Sequence, residues 1–408
     1  MLLVTLFSAP ADAASRYVDN SGSPACSNSP SAGSEAQPWC TINYGVTHIS
    51  SGDDLYVKQG TYREDVFING PAGSANKPTV IRTYPGHAVT IRGAGNTGRT
   101  KITTTSYITF DGFIVTNFQQ GIFVEGGSHH ITIQNCTVHD VGQEAIHIKE
   151  HSSFVTIQGC TIYDTMKLGG CCNGEGIYVG TSSSGPLDNT NNVTIRNNIV
   201  HDTTSEGIEI KPGTHDCLIE GNEVYNTNTI DPYGAIEINQ RDSGPQTWVG
   251  NPNHLVRNNI VHDNKTGIRL GTGSTAYNNI VYNTAASYSG IRADNLNGDS
   301  FPRRIYHNTV HMTSNGITNS GATVDIRNNI GTSATNNLPF NAGYFVNATA
   351  RDYHLVADSA PSNAGIDLTS VVAVDKDGNN RSVPPDLGAY ELVSPGVPPA
   401  PSNLTVSP

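Results

Sequence analysis

VTIRNNIVHD (193–202) echoes ITIQNCTVHD (131–140) and VTIQGCTIYD (155–164), and the theme returns as CLIEGNEVYN (217–226), HLVRNNIVHD (254–263), AYNNIVYN (276–283) and RIYHNTVHM (304–312). Between these copies a second short stretch recurs: GIFVE (121–125), AIHIK (145–149), GIYVG (176–180), GIEIK (207–211), AIEIN (235–239), GIRLG (267–271), GIRAD (290–294) and GITNS (316–320). The basic period is about 20 to 24 residues, lengthened where loops are inserted. Strands of three to five residues, rich in Val, Ile and Thr and alternating in polarity, cannot bury a face alone, so they must stack.

The stacking predicts an all-β fold, a right-handed parallel β-helix, with an N-terminal capping segment. Leucine-rich repeats share the period but need a Leu-x-x-Leu-x-Leu pattern that is absent. Asn198, Asn222, Asn259, Asn279, Asn308 and Asn329 fall at one repeat position, where side-chain amides can bond along a ladder inside a tight turn. Cys136 and Cys160 hold that position in two earlier rungs, as ladder substitutes or as a rung-to-rung bridge. TINYGVTHI (41–49) reads as a short capping helix, since the apolar end of a solenoid must be covered.

Composition agrees: 408 residues carry 42 glycines and 22 prolines, which argues against a helical bundle. The net charge of −12 has the wrong sign for a general nucleic-acid binder, so no nucleic-acid partner is expected. Residues 1–13 read as the end of an export signal, with Ala11-Asp12-Ala13 as its small-x-small site; the apolar run is too short to span a bilayer. The expectation is a secreted bacterial protein, monomeric and not membrane-bound, with the β-helix over 14–393 and a Pro/Ser-rich linker to a further module over 394–408. Export permits disulfides: Cys26 and Cys40 bracket a loop that a bridge would close, and Cys171-Cys172 suggests a loop disulfide with Cys217 as a partner.

In each GIxIx stretch the Ile positions point inward, which stacks the residue between them outward, rung upon rung. That column reads Phe123, His147, Tyr178, Glu209, Glu237, Arg269, Arg292 and Thr318, beside a second with Glu125, Lys149, Gly180, Lys211, Asn239, Gly271 and Asp294. The longest inserts, 166–175, 181–192, 226–234 and 239–253, fall beside the middle rungs and wall a groove, where Tyr233 and Trp248 offer sugar-stacking surface. His139, Tyr163, His201, Tyr225, His262, Tyr282 and His311 form another column, away from the groove, read as a surface ladder.

The run from Tyr17 through Gly93, with GDDLYVKQGTYRE (52–64) and PTVI (78–81) before YPGHAVTIRG (84–93), resembles the start of secreted β-helix polysaccharide lyases such as chondroitinase B and its alginate lyase relatives. DLGAYEL (386–392) resembles the end of exported bacterial β-helix proteins. The resemblance implies a Lys base, an Arg partner and Ca²⁺ held by Asn and Glu, similar to Lys211, Arg269, Asn239, Glu209 and Glu237. The stretch around Lys211, GIEIKPGTH, departs from theirs.

The residues alone reach the same chemistry. β-Elimination of a uronic acid polymer needs the C6 carboxylate neutralised, a base for the C5 proton and an acid for the leaving O4. Glu209 and Glu237, one rung apart, with Asn239, offer hard oxygens for Ca²⁺. Lys211 is the base and Arg269 the donor to O4 or a carboxylate clamp. His147, Lys149, Tyr178, Tyr233, Arg292 and Trp248 line the acidic polysaccharide's path. Two alternatives remain at this stage: a glycoside hydrolase using Glu209 and Glu237, and a non-catalytic glycan-binding solenoid.

Overall fold

The computed structural model describes residues 13–169, 174–182, 188–227, 233–239, 252–285, 288–294, 301–311 and 316–392. The terminal expectations for 1–12 and 393–408, and Cys171, Cys172 and Trp248, lie outside these residues.

The short strands assemble into three long parallel sheets, one of twelve strands and two of ten, each pairing with its counterpart one turn of the chain away. Ile195 registers with Ile219, Val200 with Val224 and Ile208 with Ile236, so one coil contributes one strand to each sheet. This is a right-handed parallel β-helix. Its interior is a set of aliphatic columns in which Ile133, Ile157, Ile195 and Ile219, or Val138, Ile162, Val200 and Val224, are fully buried.

The asparagine ladder forms as its chemistry requires. The side-chain amide of Asn198 donates to Asn222 Oδ1 (3.0 Å), Asn222 to Asn259 (3.0 Å), Asn259 to Asn279 (3.0 Å), Asn279 to Asn308 (2.9 Å) and Asn308 to Asn329 (3.0 Å). Each Oδ1 also accepts a backbone N–H from the rung below, as Asn259 does from Asn222 (2.9 Å). The residue before each ladder position is left-handed, φ 54° at Asn197 and 59° at Asn258, which favours the Asn or Gly found before every ladder amide except Asn308, where His307 adopts φ 49°. Cys136 and Cys160 hold buried free thiols in the rungs beneath, acting as ladder substitutes.

The helix Ile42–His48, capped by Thr41, buries Ile42, Gly45 and Val46 over the N-terminal coil, and the Cys26–Cys40 disulfide ties the neighbouring loop. Cys217 is a buried free thiol, so it does not serve the loop disulfide expected of it: its side chain points into the aliphatic core. At the other end, Arg381 bonds Asn278 Oδ1 (2.8 Å), the Gly388 carbonyl (3.0 Å) and Glu391 (3.2 Å), folding the DLGAYEL segment back onto the last rungs.

Candidate functional site

The glycine that opens most GIxIx strands has a steric cause. A Cβ on Gly176 would come within 2.6 Å of the Gly207 carbonyl in the next rung. The strands that follow, Ile146–Ile148, Ile177–Val179, Ile208–Ile210, Gly234–Ile238 and Thr266–Leu270, place their alternate residues in one vertical register. Phe123 pairs with His147, His147 with Tyr178, Tyr178 with Glu209, Glu209 with Glu237, Glu237 with Arg269, Arg269 with Arg292 and Arg292 with Thr318. The column read from the sequence is therefore a physical stack on one ten-stranded sheet.

Its environment differs from an open strand face. Glu209 is 1% exposed, Glu237 0%, and Lys211 and Arg269 8% each. The long side chains cover one another. Lys211 Nζ lies 2.7 Å from Glu209 Oε1 and 5.1 Å from the centre of the Tyr178 ring; Asn239 donates to the same Glu209 oxygen at 2.6 Å. Arg269 donates to Glu237 Oε1 (2.8 Å) and to Asp294, and lies 5.8 Å from the Tyr233 ring centre. Arg292 donates to the other oxygen of Asp294 (2.7 Å). Phe123, His147 and Tyr178 meet edge to face, with centroids 4.8 and 4.5 Å apart.

Three carboxyl groups converge here that strand alternation did not reveal in full. Glu175, Glu206 and Glu209, all buried, offer one oxygen each within 4.8 Å of one another. Glu175 and Glu206, like Glu144, stand two residues before the first Ile of the strand, where the chain is still turning and the inward–outward rule does not apply. The stacked triplet QEA, GEG, SEG in successive rungs was the available signal. Burial and the neighbouring Glu209 and Glu144 push Glu175 up to about 8; burial with Glu209, Glu237 and Glu175 pushes Glu206 up to about 10. Glu237 is pushed up to about 7 by burial and Glu209, against the pull of Arg269.

The cation ligands shift accordingly. Glu237 spends Oε1 on Arg269 and Oε2 on the Gly234 N–H (2.9 Å), and Asn239 presents amide hydrogens, not its oxygen, to Glu209. Among the described residues, Glu175 Oε2 and Glu209 Oε2 are fully buried oxygens with no hydrogen-bond partner. Three hard oxygen donors in a water-poor site, with charge to be neutralised by protons or a cation, fit a Ca²⁺-type ion. His147 is unsuited to proton transfer near neutrality: Nε2–H donates to the Gly180 carbonyl (2.8 Å), and burial drives its pKa down to about 3.

The imidazole–phenol column stands on the third sheet. His139, Tyr163, His201, Tyr225, His262 and Tyr282 stack at 4.8–5.1 Å with planes within 7° of parallel, while His311 stacks on Phe340 instead. Face-to-face stacking leaves only ring edges to solvent, as expected of a structural ladder.

A right-handed parallel β-helix with a column of interlocked carboxylates, ammonium and guanidinium groups along one sheet defines the class. The chain belongs to the family described as right handed beta helix region, whose pattern matches residues 120–359; the Pel9A-like, right handed beta helix region matches residues 22–186. Among solved structures it resembles the alginate lyase from Paenibacillus sp. str. FPU-7 (20% identity over 70% of this chain and 96% of that one, TM-score 0.58). It also resembles pectate lyase Pel9A (16%, 93% and 97%, 0.63) and the GH136 lacto-N-biosidase from Eubacterium ramulus (15%, 79% and 67%, 0.56). At these identities the likeness is one of fold. No curated protein matches the chain.

Proposed function

We propose that this protein is a secreted polysaccharide lyase that cleaves a uronic-acid-containing polymer by β-elimination along the Glu209–Arg269 face. The observation that carries the reading is the placing of Lys211, buried between the Glu209 carboxylate and the Tyr178 ring, with Arg269 two rungs beyond. Cationic and phenolic groups so close to a carboxyl cluster suit an acidic sugar.

Glu175, Glu206 and Glu209 would hold a Ca²⁺ ion, which would supply counter-charge for the substrate C6 carboxylate and for Glu209 beside Lys211. Neutral Lys211 Nζ takes the C5 proton; the C–H electron pair becomes the C4–C5 double bond and the C4–O4 bond breaks. Tyr178, held protonated by burial, gives its hydroxyl proton to O4, and the nearby Lys211 ammonium restores it. Arg269 is committed to Glu237 and Asp294, which raise its already high pKa; its part is electrostatic clamping, and it is a poor proton donor.

The test is a screen of alginate, pectate, glucuronan and glycosaminoglycans followed by ultraviolet absorbance of the unsaturated product. A rise near ~232 nm that depends on Lys211 supports elimination, because the new C4–C5 double bond is conjugated to the carboxylate. A second reading, a retaining glycoside hydrolase, is favoured by one observation: carboxyl oxygens of Glu175, Glu206 and Glu209 within 4.8 Å, with two of those acids held protonated near neutrality. New reducing ends without ultraviolet absorbance would select it.

A further inference from the structure

A second cationic cluster lies on the same sheet, toward the N-terminal rungs, and the chemistry above does not use it. Phe123, 1% exposed, carries the Arg99 guanidinium over its ring at 4.7 Å and the Lys149 ammonium at 5.3 Å. Lys149 pairs with Glu125 (3.4 Å) and Glu150 (3.3 Å), and Lys101 pairs with Glu125. Although burial opposes it, Lys101 and Lys149 hold the Glu125 carboxyl below its usual range, so that acid is fully ionised and satisfied. Glu144, the remaining acid nearby, is pushed the other way by burial and bonds Gln120 (3.2 Å). Three cations thus face three acids, Glu125, Glu144 and Glu150. Arg99 acts on Glu144 only through space and makes no hydrogen bond or ion pair with any described residue.

An arginine held over a buried aromatic ring is anchored yet keeps its planar fork of donors, the group that recognises a carboxylate through two parallel hydrogen bonds. Phe123 stands three rungs from Glu209 in one column, roughly 14 Å at the usual strand spacing. The intervening rungs present His147 and Tyr178, edges and rings without charge.

We propose that Arg99, held by Phe123 and flanked by Lys149, is a carboxylate-binding subsite for a uronate residue of the same polymer chain, several sugars removed from the bond that is cut. The inference rests on the lyase reading for its substrate. It makes the enzyme one that grips long acidic chains internally, with charge required at both the cleavage point and the remote sugar. A neutral or carboxyl-esterified stretch over Phe123 loses this contact.

The test uses the full chain carrying Lys211→Ala, so that binding is read without turnover. Calorimetry with alginate and pectate hexasaccharides and the matching disaccharides is compared with and without Arg99→Gln, whose flat amide can still lie on Phe123. The expected result is hexasaccharide binding about tenfold weaker, the loss of one charge-assisted contact, and disaccharide binding altered less than about twofold. Arg99→Lys, which keeps the charge but not the fork, should fall between, and melting temperatures should match. With Lys211 restored, KM on the polymer should rise more than kcat falls. Unaltered hexasaccharide affinity, or equal losses on long and short ligands, overturns the subsite. Absence of ultraviolet-absorbing product alongside an Arg99-dependent hexasaccharide affinity would instead count against elimination and leave the subsite standing.

Discussion

Arg269 reaches Glu237 across one rung at 2.8 Å, in a place where both side chains are buried. The sequence reading placed Glu237 in the outward column, as an oxygen donor for Ca²⁺. The pair gives it a structural role as well. Removing one partner from a buried ion pair costs about 3–5 kcal/mol when the other charge is left unmet; here Asp294 still meets Arg269, so the loss falls below that range. Glu237→Ala should therefore lower the melting temperature. Glu237→Gln, whose amide oxygen can still accept from Arg269, should lower it less. Thermal unfolding of both variants, beside the activity of each, separates the two roles; a Glu237→Ala protein as stable as the parent would show that the pair carries no structural load.

Lys211→Arg keeps the charge, the Glu209 contact and the stacking on Tyr178, but moves the side-chain pKa far above neutrality. If Lys211 takes the C5 proton, kcat should fall by about 10²–10⁴ with the fold intact. A variant that turns over at the parent rate would transfer the base role elsewhere in the column.

Glu206 converges with Glu175 and Glu209 in the buried carboxyl cluster. Added Ca²⁺ at about 100 times its dissociation constant should stabilise the parent by about 2.7 kcal/mol, read as a rise in melting temperature, and chelator should reverse the rise. In Glu206→Gln the response should shrink or vanish, since one hard anionic donor is lost. An equal Ca²⁺ response in both proteins would place the ion elsewhere.

His254, 1% exposed, has its pKa driven down to about 3 by burial. Above pH ~6.5 it is neutral in both folded and unfolded chains; as pH falls below that, only the unfolded chain takes up the proton, so stability is lost by about 1.4 kcal/mol per pH unit until pH ~3. The raised glutamates act in the opposite sense, losing stability as pH rises, so the parent curve alone is ambiguous. The difference between the parent and His254→Gln isolates the histidine. It should narrow by roughly 2–3 kcal/mol between pH ~6.5 and ~4.5, measured by denaturant unfolding; parallel curves would sink the assignment.

The repeat was legible because each rung must solve the same problems: an aliphatic residue inward, a left-handed turn before the ladder amide, a glycine where the next rung's carbonyl approaches. Those constraints set Asn222, Ile208 and Gly176 without reference to anything distant. The column from Phe123 to Arg292 followed from two-residue alternation alone. Glu175 and Glu206 did not, because they sit where the backbone enters the strand and alternation has no hold. The partners of Glu237 and the seating of Arg99 over Phe123 depend on how side chains fold over one another, which no periodicity encodes.

The asparagine ladder has a consequence for how such a protein can change. Successive ladder residues are separated by 24, 37, 20, 29 and 21 positions in the chain, yet each rises by the same single strand spacing. The molecule keeps count in rungs and not in residues. Segments between rungs can lengthen or shorten while Glu209, Glu237 and Arg269 stay aligned, so chain length is free to vary around a column of chemistry that does not move.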